Sequence, residues 1–256
     1  MERLFFTRKD KYMEKQSKKI LESEQGAYVT INGKEYLNLC SNNYLGLASD
    51  ARVKEATIAA IKEYGVGTTS VRSLVGTHQL HLTLEKELAN FKKTEDALVL
   101  TGGYITNLAV MQTLLGKEDI VISDAFNHAS IIDAIKLSQV QHRFIYNHND
   151  LDHLLTILPA INELKRDKRL DGKDRTIVIV TDGVFSMDGD LALIPDLAII
   201  AKQLGAILVV DDAHGEGVIG DHGRGIVDYY GMHGLVDIEV GTLSKAFGVM
   251  GGFIAG

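Results

Sequence analysis

Lys245 lies in GTLSKAFGVMGGFIAG (241–256), a run of small and apolar residues in which it is the only charged side chain. An amine with so little polar company is desolvated, and burial disfavours its ammonium form. That suits a lysine that forms an imine. The competing reading is a lysine that snorkels from a strand end to water. Upstream, TGGYITN (101–107) places Gly102 and Gly103 between an apolar run and a helical pattern. Such a turn lets a ligand approach the backbone, and the helix start offers unpaired N–H groups to an anion; a plain turn is the alternative.

Three more polar motifs follow short apolar runs. DAFNHASIID (124–133) puts His128 at a helix start, either as a structural hydrogen bonder or as a catalyst. TDGVFSMDGD (181–190) carries Ser186, and DDAHGEGVIG (211–220) carries Asp211 and His214. Aspartate and histidine also suit divalent metals. Against a metal stand the lack of HExxH, of a cysteine cluster and of a third spaced ligand set. Taken in order, a glycine turn, Asn-His, Ser, Asp-x-x-His and Thr-x-x-Lys are what a phosphate-bearing aromatic aldehyde requires. The glycine turn and Thr242 would hold the phosphate, and His128 would stack on the ring. Asp211 would pair with a pyridinium nitrogen, Ser186 and His214 would bond the phenolic oxygen, and Lys245 would form the imine. The expected cofactor is pyridoxal 5'-phosphate.

The elements that must position these residues alternate. Runs at 97–100, 119–124, 142–146, 176–182, 206–213 and 238–244, then GGFIAG at 251–256, are rich in β-branched and apolar residues, with helical segments between them. Apolar strands separated by helices imply an α/β fold with a mostly parallel sheet covered on both faces. In such sheets ligands bind beyond the carboxyl ends of the strands, where these polar motifs fall. LTLEKELANFKK reads as an amphipathic helix with apolar positions at 82, 84, 88 and 91, and 50–64 reads as a helix capped by Asp50. AYVTING and KEYLNLC form a hairpin about Asn32-Gly33. Residues 8–25 are expected to form a charged helix. The expected division is an N-terminal arm and small β segment over 1–48, then a cofactor-binding large domain over 49–256.

Composition narrows the classes. The net charge of −7 argues against non-specific nucleic-acid binding, and 45% hydrophobic residues suit a folded core. One cysteine, Cys40, excludes an intrachain disulfide and suits a reducing compartment. No apolar run approaches the roughly 18 residues of a membrane helix. The charged N-terminus lacks the apolar core of a secretory signal, so the expected location is the cytoplasm.

Longer motifs carry a family resemblance: SNNYLGL (41–47), SVRSLVGTHQLHLTLE (70–85), ISDAFNHASIIDAIKL (122–137), VTDGVFSMDG (180–189), VVDDAHGEGVIGDHGRG (209–225) and VGTLSKAFGVMGG (240–252). In this order they resemble the α-oxoamine synthases, fold-type I pyridoxal-phosphate enzymes. Within that family the chain looks most like the glycine C-acetyltransferases, with the 8-amino-7-oxononanoate synthases next. The resemblance implies a seven-stranded large domain whose last strand pairs with its first, and a homodimer with no metal, membrane or nucleic-acid partner. It implies catalytic Lys245, His128 and Asp211, and cofactor contacts from Gly103, Tyr104, His128, Ser186, Asp211, His214, Thr242 and Lys245. Asn43 and His128 would meet the amino acid. The implied reaction condenses glycine or another small amino acid with an acyl-CoA, Lys245 serving as imine lysine and then as base at Cα. Transamination and a non-catalytic partner chain are the alternatives.

Two departures qualify the resemblance. The chain ends eleven residues after Lys245, where the family continues into a C-terminal domain that supplies a carboxylate-binding arginine. The isolated chain is therefore expected to hold cofactor yet turn over weakly or not at all. Gly103 and Glu216 also stand where relatives often carry a bulkier and a smaller residue, respectively.

Overall fold

The computed structural model describes residues 18–256, so residues 8–17 of the expected charged helix lie outside the described residues. Residues 18–25 are not helical. The Glu22 N–H donates to Thr30 O at 2.9 Å, and its carboxylate accepts the Gly33 N–H at 2.8 Å, so this stretch runs beside the hairpin. The hairpin pairs β1 (Tyr28–Ile31) with β2 (Lys34–Leu37). Asn32 and Gly33 both take positive φ, 52° and 69°, as a tight two-residue turn of this hand requires.

The chain divides between Ser41 and Asn42, earlier than the boundary expected after residue 48. Residues 42–49 belong to the larger unit because their backbone is packed there: a Cβ on Gly248 would stand 2.4 Å from the Ala48 nitrogen. In that unit α1 (Ala51–Tyr64) follows its Asp50 cap, whose side chain accepts the Arg52 N–H. Next come α2 (Gln79–Lys92), β3 (Ala97–Leu100), α3 (Gly103–Leu114), β4 (Ile120–Asp124), α4 (Ala129–Leu137), β5 (His142–Tyr146) and α5 (Leu151–Arg166). The chain continues through β6 (Ile177–Asp182), α6 (Ile194–Leu204), β7 (Ile207–Asp211), α7 (Ile226–Tyr229), β8 (Ile238–Thr242) and β9 (Gly252–Ala255).

Strands β3 to β9 form one seven-stranded sheet in the order β3-β9-β8-β7-β6-β4-β5. It is parallel except that β9 runs antiparallel to both β3 and β8. Alternate side chains go to opposite faces. Ile120, Ile122, Ile177 and Ile179 pack with α5, α6 and α7, while Val121, Val178, Val180 and Val240 pack with α3 and α4. Each such buried side chain contributes about 1.5–3 kcal/mol. Covered on both faces, β4, β6 and β7 are apolar until their carboxyl ends, where their polar residues begin, whereas β5 opens on His142 and Arg143 and β8 carries Glu239 inside it. Among the described residues no helix is long and apolar enough to cross a membrane.

Helix α2 departs from its expected face. Leu82 and Leu84 stay exposed, whereas Glu85, Leu88, Ala89 and Lys92 are buried. Glu85 is held by Arg72 and by the Val99 N–H, 2.9 Å from Oε1. Lys92 reaches Asp212 at 3.1 Å, Glu216 at 3.4 Å and Glu239 at 2.7 Å. Buried charge with partners in β8 and in the loop after β7 sets the rotation of this helix, and a hydrophobic pattern cannot register that.

Candidate active site

The carboxyl edge of the parallel strands brings the polar motifs together. Asp182 and Asp211 end β6 and β7 as register partners, and Thr242 ends β8. Beyond them lies a cavity of about 180 Å³ lined by Gly103, Tyr104, His128, Ser186, Asp211, His214, Thr242 and Lys245. Asn43 does not line it; its Oδ1 accepts the Ala48 N–H at 3.2 Å and closes the turn of its own loop.

Each side chain has a local cause for its place. His128 caps α4, its Nδ1 2.7 Å from Ser130 Oγ, and its backbone N–H donates to Asp182 Oδ2 at 2.9 Å. Asp211 Oδ2 accepts from Asn107 Nδ2 at 2.6 Å, and its Oδ1 accepts the Ala213 N–H at 3.1 Å. Thr242 Oγ1 lies 2.8 Å from Ser244 Oγ, and its N–H donates to Glu216 Oε2 at 3.2 Å. The Tyr104 hydroxyl donates to Asp133 Oδ2 at 2.8 Å. Lys245 Nζ lies 2.8 Å from His214 Nε2, and His214 Nδ1 lies 2.7 Å from the Tyr44 hydroxyl.

The electrostatics favour an uncharged amine more than water does. Burial pulls Lys245 below the ordinary lysine range, against the opposing charges of Asp211, Asp182 and Glu216. Burial, and then the Lys245 charge, push His214 down to about 4. Asp182 is pushed up to about 8 by burial and by the Asp211 charge.

Several cavity residues escaped the sequence reading. Asn107 falls four residues after Gly103 and so on the same face of α3. Asp182 ends an apolar strand just as Asp211 does, which was a usable signal. Ser130 and Ser244 follow His128 and Thr242 by two residues. Tyr44, which does not line the cavity but bonds His214, is far away in sequence, and no spacing points to it.

The residues present fit pyridoxal phosphate. The first turn of α3 has no side-chain cap at Gly102, and a Cβ on Gly103 would stand 3.3 Å from Thr242 Oγ1. The gap between that helix start and the hydroxyl pair is therefore open to an anion. Asn107 Oδ1 is buried without a hydrogen-bond partner. The metal reading of 211–220 does not survive the geometry, because Asp212 turns away to Lys92 while Asp211 faces the cavity. Among the described residues no group of three or more His, Cys, Asp or Glu is arranged to hold a metal ion.

Residues 34–256 match the family described as aminotransferase class I and II. The chain is 51% identical over 237 residues to an 8-amino-7-oxononanoate synthase from Thermosipho melanesiensis, covering 92% of this chain and 58% of that protein. A Sphingomonas wittichii serine palmitoyltransferase superposes with a TM-score of 0.81 at 38% identity, over 90% of this chain and 55% of that one. An S. paucimobilis serine palmitoyltransferase, solved with PLP and myriocin bound, gives a TM-score of 0.84 at 33% identity, over 93% and 57% of the two chains. The chain thus spans somewhat over half the length of the relatives it matches. Their names favour the second resemblance over glycine C-acetyltransferase. The chain belongs to the class I and II aminotransferase family, in its pyridoxal-phosphate-dependent α-oxoamine synthase branch.

Proposed function

We propose that this chain is the cofactor-holding part of an acyltransferase of the 8-amino-7-oxononanoate synthase type, working as a homodimer. The observation that carries the reading is Lys245, a half-buried amine that lines one cavity with Asp211, with a helix start at its rim. The names of relatives such as the T. melanesiensis enzyme support this substrate class. Read as chemistry, an 8-amino-7-oxononanoate consists of a two-carbon aminoethyl unit on a seven-carbon dicarboxylic acyl group. The first is alanine without its carboxyl group, and the second is a heptanedioyl thioester without its thiol. The balanced reaction joins alanine Cα to the acyl carbon and releases carbon dioxide and CoA.

When bound, pyridoxal phosphate supplies an electron sink for the carbanion at Cα. The chain's own residues hold it and move the proton. Thr242 and the first-turn N–H groups of α3 would hold the phosphate, and His128 would lie against the ring. Asp211, fixed in orientation by Asn107, would keep the ring nitrogen protonated. Ser186 and His214 would bond the ring oxygen. Lys245 would be the attachment point and then the base for the Cα proton, a role its lowered proton affinity suits. Exposed Val66, Leu74 and Val75 support a partner surface on this chain.

A visible absorption titration with pyridoxal phosphate tests the reading. The expected result is an imine band that is absent in Lys245→Ala and shifts at lower concentrations of alanine than of glycine. A band unaffected by Lys245→Ala would overturn the site. A preference for glycine, with CoA released from acetyl-CoA and not from heptanedioyl-CoA, would overturn the substrate class.

A further inference from the structure

His148 follows β5, outside the cavity, and no step above uses it. Its Nδ1 lies 3.0 Å from Asp124 Oδ1 and its Nε2 lies 2.8 Å from Asp190 Oδ2. A neutral imidazole has one N–H and one bare lone pair. With a carboxylate oxygen at each nitrogen, the neutral ring would set one lone pair against another, so only the imidazolium satisfies both contacts. Burial opposes that charge, and the two carboxylates outweigh burial and hold the ring's proton affinity above the ordinary histidine range. Phe126 stacks on the ring at 4.4 Å and 10°, and Phe185 meets it edge-on at 4.4 Å and 80°. An aromatic face against a cation adds to the preference.

The two carboxylates belong to two different site loops. Asp124 ends β4 and opens the turn that delivers Asn127 and His128; its Oδ1 also accepts the Phe126 N–H at 2.8 Å. Asp190 closes the loop that carries Ser186, with the Phe185 N–H donating to Asp190 O at 3.0 Å and a bridge between Val184 and Leu191. Asn149 repeats the link: its N–H donates to Asp124 Oδ2 at 2.9 Å and its Nδ2 to Asp190 Oδ2 at 2.7 Å. Asp124 and Asp190 are the charged groups that face the ring. Tyr146 of β5 feels the Asp124 charge, and at the start of α5 Asp150 and His153 bond to each other and to Asn147.

We propose that His148 is a positioning residue: its doubly protonated ring clamps the His128 turn to the Ser186 loop and so holds the spacing of two cavity residues. The clamp rests on geometry alone; its effect on cofactor affinity rests on the pyridoxal-phosphate reading. For the sign, a histidine whose folded proton affinity is raised contributes stability that is complete below the unfolded value near 6.5 and is lost as pH rises through the folded value. The clamp therefore opens on the alkaline side.

Nitrogen-15 NMR of the histidine-labelled chain tests the clamp without cofactor. Both His148 nitrogens should be protonated at pH 6.5, where a free histidine is half neutral, and Asp190→Asn should lower the pH at which the ring loses its proton. A neutral His148 at that pH would overturn the proposal. Asp190 is partly exposed, so this variant spares the core. In cofactor titrations, His148→Gln should weaken binding by about 10-fold at pH 7 and leave a smaller difference from wild type above the His148 titration. Equal affinity of the two proteins at pH 7 would overturn the positioning role. Should the wild type fail to form the imine band, the cofactor reading falls while the NMR arm still decides the clamp.

Discussion

The amine of Lys245 and Nε2 of His214 lie 2.8 Å apart, and one proton order satisfies the chain of groups behind them. Burial and the lysine charge keep His214 neutral at pH 7, with its titration at about 4. Its Nε2 then accepts from Lys245 and its Nδ1–H donates to the Tyr44 oxygen. The Tyr44 hydroxyl in turn donates to Asn42 Oδ1 at 3.3 Å. The tautomer is thus set by the network.

Because burial lowers the proton affinity of Lys245, its neutral form is reached at a lower pH than in a peptide. Reductive trapping of Lys245 by a small aldehyde, followed by peptide mass spectrometry, should be half-maximal at a pH below the roughly 10.4 of a free lysine. A midpoint at or above that value would show a solvated amine.

Asp182 and Asp211 sit side by side and divide their roles. A carboxyl with raised folded proton affinity supports the fold at low pH and loses that contribution as pH climbs from the unfolded value to the folded one, here about 8. Asp182→Asn should therefore stabilise the chain at pH 9, on the order of 1 kcal/mol, and change little at pH 5, read by urea denaturation. Asp211→Asn should keep the fold and weaken cofactor binding in the visible absorption titration, because the ring nitrogen loses its anionic partner.

Lys92 is the counter-ion to three buried carboxylates. Burial alone would lower its proton affinity, but Asp212, Glu216 and Glu239 raise it well above the ordinary lysine range. Lys92→Met leaves those acids without their cation and should destabilise by about 3–5 kcal/mol. Asp212 and Glu216 already have raised proton affinity through burial, so the variant should regain stability as pH falls. Urea midpoints at pH 5.5 and 8 check both claims; a loss independent of pH would point to packing instead of charge.

Two glycines of the site should behave oppositely. A Cβ on Gly241 would stand 2.3 Å from Glu216 Oε1 and 2.3 Å from Phe253 Cζ, so Gly241→Ala should cost about 1–3 kcal/mol and disturb Thr242 beside it. Gly102 is extended at φ 174°, with nothing within 4 Å of a Cβ, so Gly102→Ala should be close to neutral. Thermal melts of the two variants distinguish them.

Most of the strand pattern was legible because strands buried on both faces must be apolar along their length, and IVIVTD and ILVVDD show this in any context. Their terminal aspartates were equally visible, yet only Asp211 was assigned to the site. Asp182 reads as one more polar residue at a strand end until the sheet register sets it against Asp211. The helix expected over residues 8–25 is not formed in its described part, 18–25, where the Glu22 contacts to the hairpin outweigh a weak local preference.

By itself the sequence determined an alternating α/β order, a lysine stripped of charged neighbours, and polar residues at the strand ends. These are local properties of composition and period. Only the tertiary structure decided that α2 turns Lys92 inward, that Tyr44 completes a line through His214 to Lys245, and that His148 joins two loops through two carboxylates. Each of those depends on pairing across dozens of residues or more. Such pairing is set by sheet order and helix packing, and no spacing along the chain records it.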